Sequence, residues 1–209
     1  MLKAIRRLFE REETAHTEAR LPAGQRVYAV GDIHGRLDLF EALIAAVEAD
    51  DAASGPAETT VILLGDLVDR GPDSAGVIAR AREWQRRRNV RILAGNHEEM
   101  FLASFAKAET LKHFLRFGGK ETVLSYGLDP RAYQAASVEE VQAMMHTAVP
   151  AEDRAFLEGF EDMIAIGDYL FVHAGISPLV PFEKQPTNDL RWIRQPFLGD
   201  RRPFEKVVV

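Results

Sequence analysis

Three times in its first hundred or so residues the chain runs the same course: a short apolar stretch, a turn that sets glycine beside an ionisable or amide side chain, and an amphipathic helix. "VYAVGDIHG" at 27–35 leads into "RLDLFEALIAAVEAD", where Leu37, Phe40, Ile44 and Val47 share one helical stripe. "TVILLGDLVDRG" at 60–71 leads into "DSAGVIARAREWQRRR", with Val77, Ile78, Ala81 and Trp84 on one face. Asp73 or Ser74 fits its N-cap, and the arginines at 86–88 suit its C-terminal dipole end. "VRILAGNHE" gives a strand over 90–94 and a helix through about Lys107. Strands alternating with helices of this length predict a largely parallel sheet, because a right-handed crossover returns the chain to the same edge. The turn-forming stretches 14–25 and 50–59 read as linkers, and 108–165 as a helical cap inserted before a further apolar strand, "DYLFVHAGISP", that ends at His173.

This topology constrains function as well as fold. In open α/β sheets, ligands bind beyond the carboxyl ends of the strands. The four strand-end loops there carry Asp32 and His34; Asp66, Asp69 and Arg70; Asn96 and His97; and His173. One such loop is a turn, whereas four form a site. Carboxylate, amide oxygen and imidazole together suit divalent ions such as manganese, iron or zinc. The chain has no cysteine, so thiolate ligands, disulfides and cysteine nucleophiles are excluded. His16, His113 and His146 lie outside these loops and read as ordinary polar side chains.

With 209 residues, 46% hydrophobic and 28% charged, the sequence suits one globular domain over 26–209, preceded by an amphipathic helix and linker over 1–25. A net charge of −6 offers no global footprint for nucleic acid. The arginine-rich run around 80–91 has no aromatic platform beside it and reads as a solvated helix end, so no nucleic-acid partner is expected. No segment is long enough to span a bilayer, and "MLKAIRRLFERE" lacks the apolar core of a signal peptide, so a cytoplasmic location is expected.

The motifs "GDIHG", "GDLVDRG", "GNHE" and "HAG", in this order, closely resemble the phosphoprotein phosphatase family, in particular its bacterial and lambda-phage-like serine/threonine branch. The resemblance runs from residue 27 to about 198 and includes "FLRFGGKETVLSYG" and "DLRWIRQPF". It implies an α/β, calcineurin-like metallophosphoesterase sandwich of two mixed sheets flanked by helices. It further implies two divalent ions, manganese first with iron or zinc next. Asp32 and His34 would hold one ion, Asp66 would bridge, and Asn96 and His173 would hold the second. Two such ions about 3.5 to 4 Å apart turn water into hydroxide for in-line attack on phosphorus.

By the same resemblance His97 is the general acid, held by Asp69, while Arg70 and Arg194, with Asn96, bind the substrate phosphate; Arg191 competes with Arg194. The implied activity is protein serine/threonine phosphatase, acting on a phosphoprotein or phosphopeptide. The rival is a symmetrical diadenosine tetraphosphate hydrolase, against which Asp69 and Glu98 count, because those enzymes often read Val-Ala-Arg-Gly and end the third motif in Asp. A third reading is a truncated, non-catalytic binding form. The family's last metal-ligand histidine has no counterpart here, and "RRPFEKVVV" reads as a strand after which further strands are expected.

Overall fold

In a computed structural model, which describes residues 18–209, two three-stranded sheets face each other. The first holds β1 (Gln25–Val30), β2 (Glu58–Leu63) and β3 (Val90–Ile92), all parallel, in that order. The crossovers are α1 (Leu37–Ala53) and α2 (Ser74–Arg87). Strand β2 is apolar without alternation because both its faces are covered. Val61 and Leu63 point into a core with Phe40, Ile44, Val47, Val77, Ala81 and Trp84 from the helices, while Ile62 and Leu93 meet Ile164 and Phe171 of the second sheet. Asp73 caps α2, accepting from the Gly76 N–H at 2.7 Å.

The second sheet holds β4 (Met163–Ile166), β5 (Tyr169–Val172) and β6 (Val207–Val208), with β4–β5 antiparallel and β5–β6 parallel. The strand that ends at His173 is therefore not a fourth strand of the parallel sheet. Its outer face packs Leu170 and Val172 against Ile176 and Leu190, the latter from α9 (Thr187–Trp192).

Between the sheets in sequence lies α3 (Asn96–Ser104), then α4 (Ala108–Phe114), a π-helical turn over Leu115–Gly119, α5 (Lys120–Ser125), α6 (Pro130–Ala135), α7 (Val138–Ala148) and α8 (Ala151–Glu158). These helices close on their own apolar core of Phe101, Leu111, Phe114, Val123, Val141 and Met145, into which Val68 from the β2–α2 loop also inserts.

Four boundaries differ from the sequence reading. The first helix runs on to Ala53, so the linker before β2 shrinks to 54–57. Regular pairing of β3 stops at Ile92, and α3 ends at Ser104 rather than near Lys107. The insert stops being helical at Glu158, because 163–166 is a strand paired to β5 through a two-residue turn at Gly167 and Asp168. That Gly-Asp between two apolar runs is a hairpin signal the helical reading passed over. The amphipathic N-terminal segment and His16 lie outside the described residues.

Candidate active site

All four predicted loops open on one side of the molecule, at the carboxyl ends of β1, β2, β3 and β5. Their backbones are stitched together. Ile33 and His34 donate to the Asp66 carbonyl at 3.1 and 2.9 Å, and Gly35 donates to Leu67 at 2.8 Å. Beneath them lies Glu98, 1% exposed, which accepts from the Asp66 and Gly95 N–H groups through one oxygen (2.8 and 2.9 Å) and from Leu67 and Val68 through the other (2.8 and 3.3 Å). Burial and the neighbouring Asp66 push the Glu98 carboxyl upward, and the N–H groups pull the other way by favouring its charged form. Gly95 allows this close fit, since a Cβ there would stand 2.1 Å from Asp66 Oδ1.

Among the described residues, four non-glycine residues adopt positive φ: His34 (45°), Asp66 (53°), Asp69 (75°) and Arg70 (66°). Every one belongs to the predicted site. Such left-handed conformations cost about 1–3 kcal/mol each and persist only where surrounding contacts over-determine them.

The donor atoms are posed for a cation. His34 Nδ1 lies 2.8 Å from the Val68 carbonyl and His173 Nδ1 lies 2.7 Å from that of Leu64. A carbonyl only accepts, so each Nδ1 donates, and each neutral ring then presents a lone pair at Nε2. His34 Nε2 is buried without a hydrogen-bond partner, 3.5 Å from Asp32 Oδ2 and 3.7 Å from Asp66 Oδ2. His173 Nε2 lies 3.4 Å from Asp66 Oδ1 and 3.0 Å from Asn96 Oδ1. Lone pairs aimed at carboxylate oxygens repel unless a positive charge sits among them, so this donor set fits divalent metal. The same crowding acts on protons: burial alone would lower His34, but Asp32, the Val68 carbonyl and Asp66 outweigh it and raise its pKa, while the nearby His34 ring lowers that of Asp32. Among the described residues, His34, Asp66 and His97 bring together donor atoms that could hold a cation, as do Asp32, Asp66 and His173, so both groups share Asp66.

Beside the cluster, His97 Nδ1 lies 2.6 Å from Asp69 Oδ2, and Arg70 Nη2 donates to His97 Nε2 at 2.9 Å. Burial pushes the Asp69 carboxyl up, against the hydrogen bonds from His97 and Thr122. A cavity of about 630 Å³ opens above, bounded by Asp32, Asp66, Asn96, His97 and His173 below and by Arg70, Phe117, Trp192 and Arg194 around its rim. That volume falls in the usual range for ligand sites. Arg191, the competitor of Arg194, is engaged by Asp162 at 2.8 Å and Glu99 at 3.2 Å; Arg194 stands exposed in the same wall.

His146 Nε2 donates to the Phe105 carbonyl at 3.0 Å, as an ordinary polar side chain does. His113 is an exposed side chain as well. It lines the cavity and packs on Phe117 with ring centroids 4.4 Å apart. The sequence reading also missed the scaffold role of Glu98, which at the third position of α3 reaches back to accept from the Gly95 N–H. Thr122, which bonds both the backbone and the carboxylate of Asp69, lies in the "FLRFGGKETVLSYG" stretch, to which the sequence reading gave no role in the site.

A bis(5'-nucleosyl)-tetraphosphatase, symmetrical, of Acidovorax sp. (strain JS42) is 31% identical over 158 residues, covering 73% of this chain and 44% of that protein. Serine/threonine-protein phosphatase 1 of Salmonella typhimurium is 34% identical over 87 residues, 41% of this chain and 36% of that protein. The chain thus spans less than half the length of these curated relatives. A crystal structure provisionally assigned as a diadenosine tetraphosphatase superposes with a TM-score of 0.53 at 24% identity, over 82% of this chain and 60% of that one, which speaks to the fold alone. The family model for calcineurin-like phosphoesterase matches residues 25–209, from the first strand through the whole cluster of donors, and the chain belongs to that family.

Proposed function

We propose that this metallophosphoesterase hydrolyses nucleoside polyphosphates, with a dinucleoside tetraphosphate as the first substrate to test. The observation that carries the reading is the rim of the cavity. Arg70 and Arg194 line it together with Phe117 and Trp192, which are 51% and 38% exposed. Arginine forks match phosphate oxygens bidentately, and an exposed aromatic face holds a base by stacking worth about 1–3 kcal/mol. The relative that matches the larger share of this chain bears a symmetrical tetraphosphatase name. The phosphatase reading drawn from the motifs gives way accordingly. Glu98, which counted against the dinucleotide, is buried under four backbone N–H groups and contacts no substrate, so it says nothing about what the cavity accepts.

Asp32, His34, Asp66, Asn96 and His173 would hold two divalent cations, manganese first, which when bound supply Lewis-acid activation of water and of the phosphate. The chain's own residues do the rest. Arg70 and Arg194 grip the non-bridging oxygens and set the phosphorus in line. Water oxygen bonds to phosphorus as the bond to the leaving oxygen breaks. Once a phosphate draws the Arg70 fork away, His97 Nε2 is free to take up a proton from solvent and pass it to that leaving oxygen, while the attacking water gives up one of its own, with Asp69 keeping the ring oriented through Nδ1.

A second reading, hydrolysis of a phosphoserine or phosphothreonine ester, is favoured by that same Asp69–His97 pair. An alkoxide leaving group needs a proton, whereas a nucleoside diphosphate departs readily without one. Parallel assays of diadenosine tetraphosphate, a phosphopeptide and p-nitrophenyl phosphate with added manganese decide between the two. The first reading expects the dinucleotide to turn over fastest, and expects Trp192→Ala with Phe117→Ala to raise its KM about 5- to 100-fold while sparing p-nitrophenyl phosphate. Faster phosphopeptide turnover, with the dinucleotide KM unmoved by the aromatic substitutions, reverses the ranking.

A further inference from the structure

The "FLRFGGKETVLSYG" segment sits in the helical insert, away from every strand-end loop, yet it grips the most strained part of the site. Asp69 and Arg70 are consecutive left-handed residues, at φ 75° and 66°. The Asp69 N–H is shared between Thr122 Oγ1 at 2.8 Å and Ser74 Oγ at 3.0 Å. The Thr122 hydroxyl donates to Asp69 Oδ1 at 2.6 Å, leaving Oδ2 for His97 Nδ1. With its one proton spent there, Thr122 must accept from Ser74 Oγ at 2.8 Å. Thr122, Ser74 and Asp69 are all fully buried, so no water substitutes for these bonds. One residue further on, Arg70 N–H donates to the Gly118 carbonyl at 3.0 Å. Gly118 holds φ +106° inside the π-helical turn, and a Cβ on it would press on Arg70 Cγ at 2.7 Å and Arg70 N at 2.8 Å. π-helical turns recur at functional sites. Val68, packed in the insert's own core with Phe114 and Val123, fixes the loop from the preceding position.

We infer that the insert is a clamp with two jaws: Thr122 is a positioning residue that acts through Asp69 on the His97 ring, and Gly118 is one that acts on Arg70. The inference rests on the reading of His97 as proton donor and Arg70 as phosphate ligand, and its consequence is that the two jaws control different kinetic quantities. Thr122 governs proton delivery, hence the dependence of kcat on the leaving group. Gly118 governs phosphate grip, hence KM.

The test compares phenyl phosphate, whose leaving group needs a proton, with p-nitrophenyl phosphate, whose leaving group hardly does, in the manganese-supplemented protein. Thr122→Val keeps the shape and removes the hydroxyl. It should lower kcat on phenyl phosphate about tenfold or more, within what a general acid contributes, and on p-nitrophenyl phosphate less than about threefold, with Thr122→Ser restoring both. Gly118→Ala should raise KM and weaken inhibition by inorganic phosphate about tenfold, leaving the ratio between the two esters unchanged. Equal loss on both esters in Thr122→Val, without rescue by serine, overturns the Thr122 jaw; an unmoved KM in Gly118→Ala overturns the other. His97→Ala separates the underlying reading: if it slows both esters equally, the acid role itself is wrong. Ring ¹⁵N shifts of His97 in the metal-free protein then decide the Thr122 jaw without catalysis. They should report a strongly hydrogen-bonded Nδ1–H in the parent and a weaker one, with a shifted Nδ1 resonance, in Thr122→Val, and identical spectra overturn it.

Discussion

The floor and the rim of the site cavity are built on opposite principles. Apart from the exposed Asp32, the floor is buried or half-buried, polar and held by backbone: the imidazoles of His34 and His173 are anchored by carbonyls, Asp66 sits over Glu98, and Gly95 permits their approach. The rim is exposed and held by side chains on the insert and on the stretch around α9, where Phe117, Trp192 and Arg194 have room to turn. The difference teaches where chemistry and selectivity reside. Groups that must meet a cation are preorganised before it arrives, whereas groups that meet a variable substrate can adapt, so relatives sharing the floor can differ in what they cleave.

Breaking the floor should have the largest effect. Asp66→Asn removes the carboxylate common to both ligand groups. Since loss of a residue that merely supports a ligand costs about 10–100-fold in metal affinity or activity, this change should cost about 100-fold or more in both, on every substrate. Manganese binding by calorimetry and turnover of p-nitrophenyl phosphate measure it, and retained manganese affinity would mean the floor is not shared as described.

Next in size is the scaffold below the floor. Glu98→Gln leaves the volume intact but turns an amide N–H₂ toward backbone donors that now lack an acceptor, and should cost about 2–4 kcal/mol of stability. A urea midpoint that does not move would show that the four N–H groups find other partners.

The smallest effect lies far from the cavity and sharpens the contrast by leaving it alone. Asp51, bonded to Thr59, Arg26 and Arg88, has its pKa held down at about 2. A carboxyl depressed on folding stabilises above its unfolded value, near 3.9, and loses that contribution as pH falls through the folded one. Thermal stability should therefore decline between about pH 4 and pH 2, less steeply in Asp51→Asn. Activity at neutral pH should be the same in both, and a difference there would tie this outer network to the site.

The sequence by itself determined the parallel half of the fold, the α1 and α2 faces and the identity of the donors. Those follow from period-3.6 and apolar-run patterns and from local glycine-bearing turns, whose physics acts within a few residues. Tertiary structure alone decided that the His173 strand belongs to a second sheet, because a four-residue apolar run such as 163–166 does not declare its partner until its register with 169–172 is closed. It also decided that Glu98 supports rather than selects and that His113 faces the cavity. Thr122 is the plainest case. A threonine 53 positions from Asp69 becomes its closest support only when a separate apolar core folds the insert back over the loop, and no local pattern records a contact made across that distance.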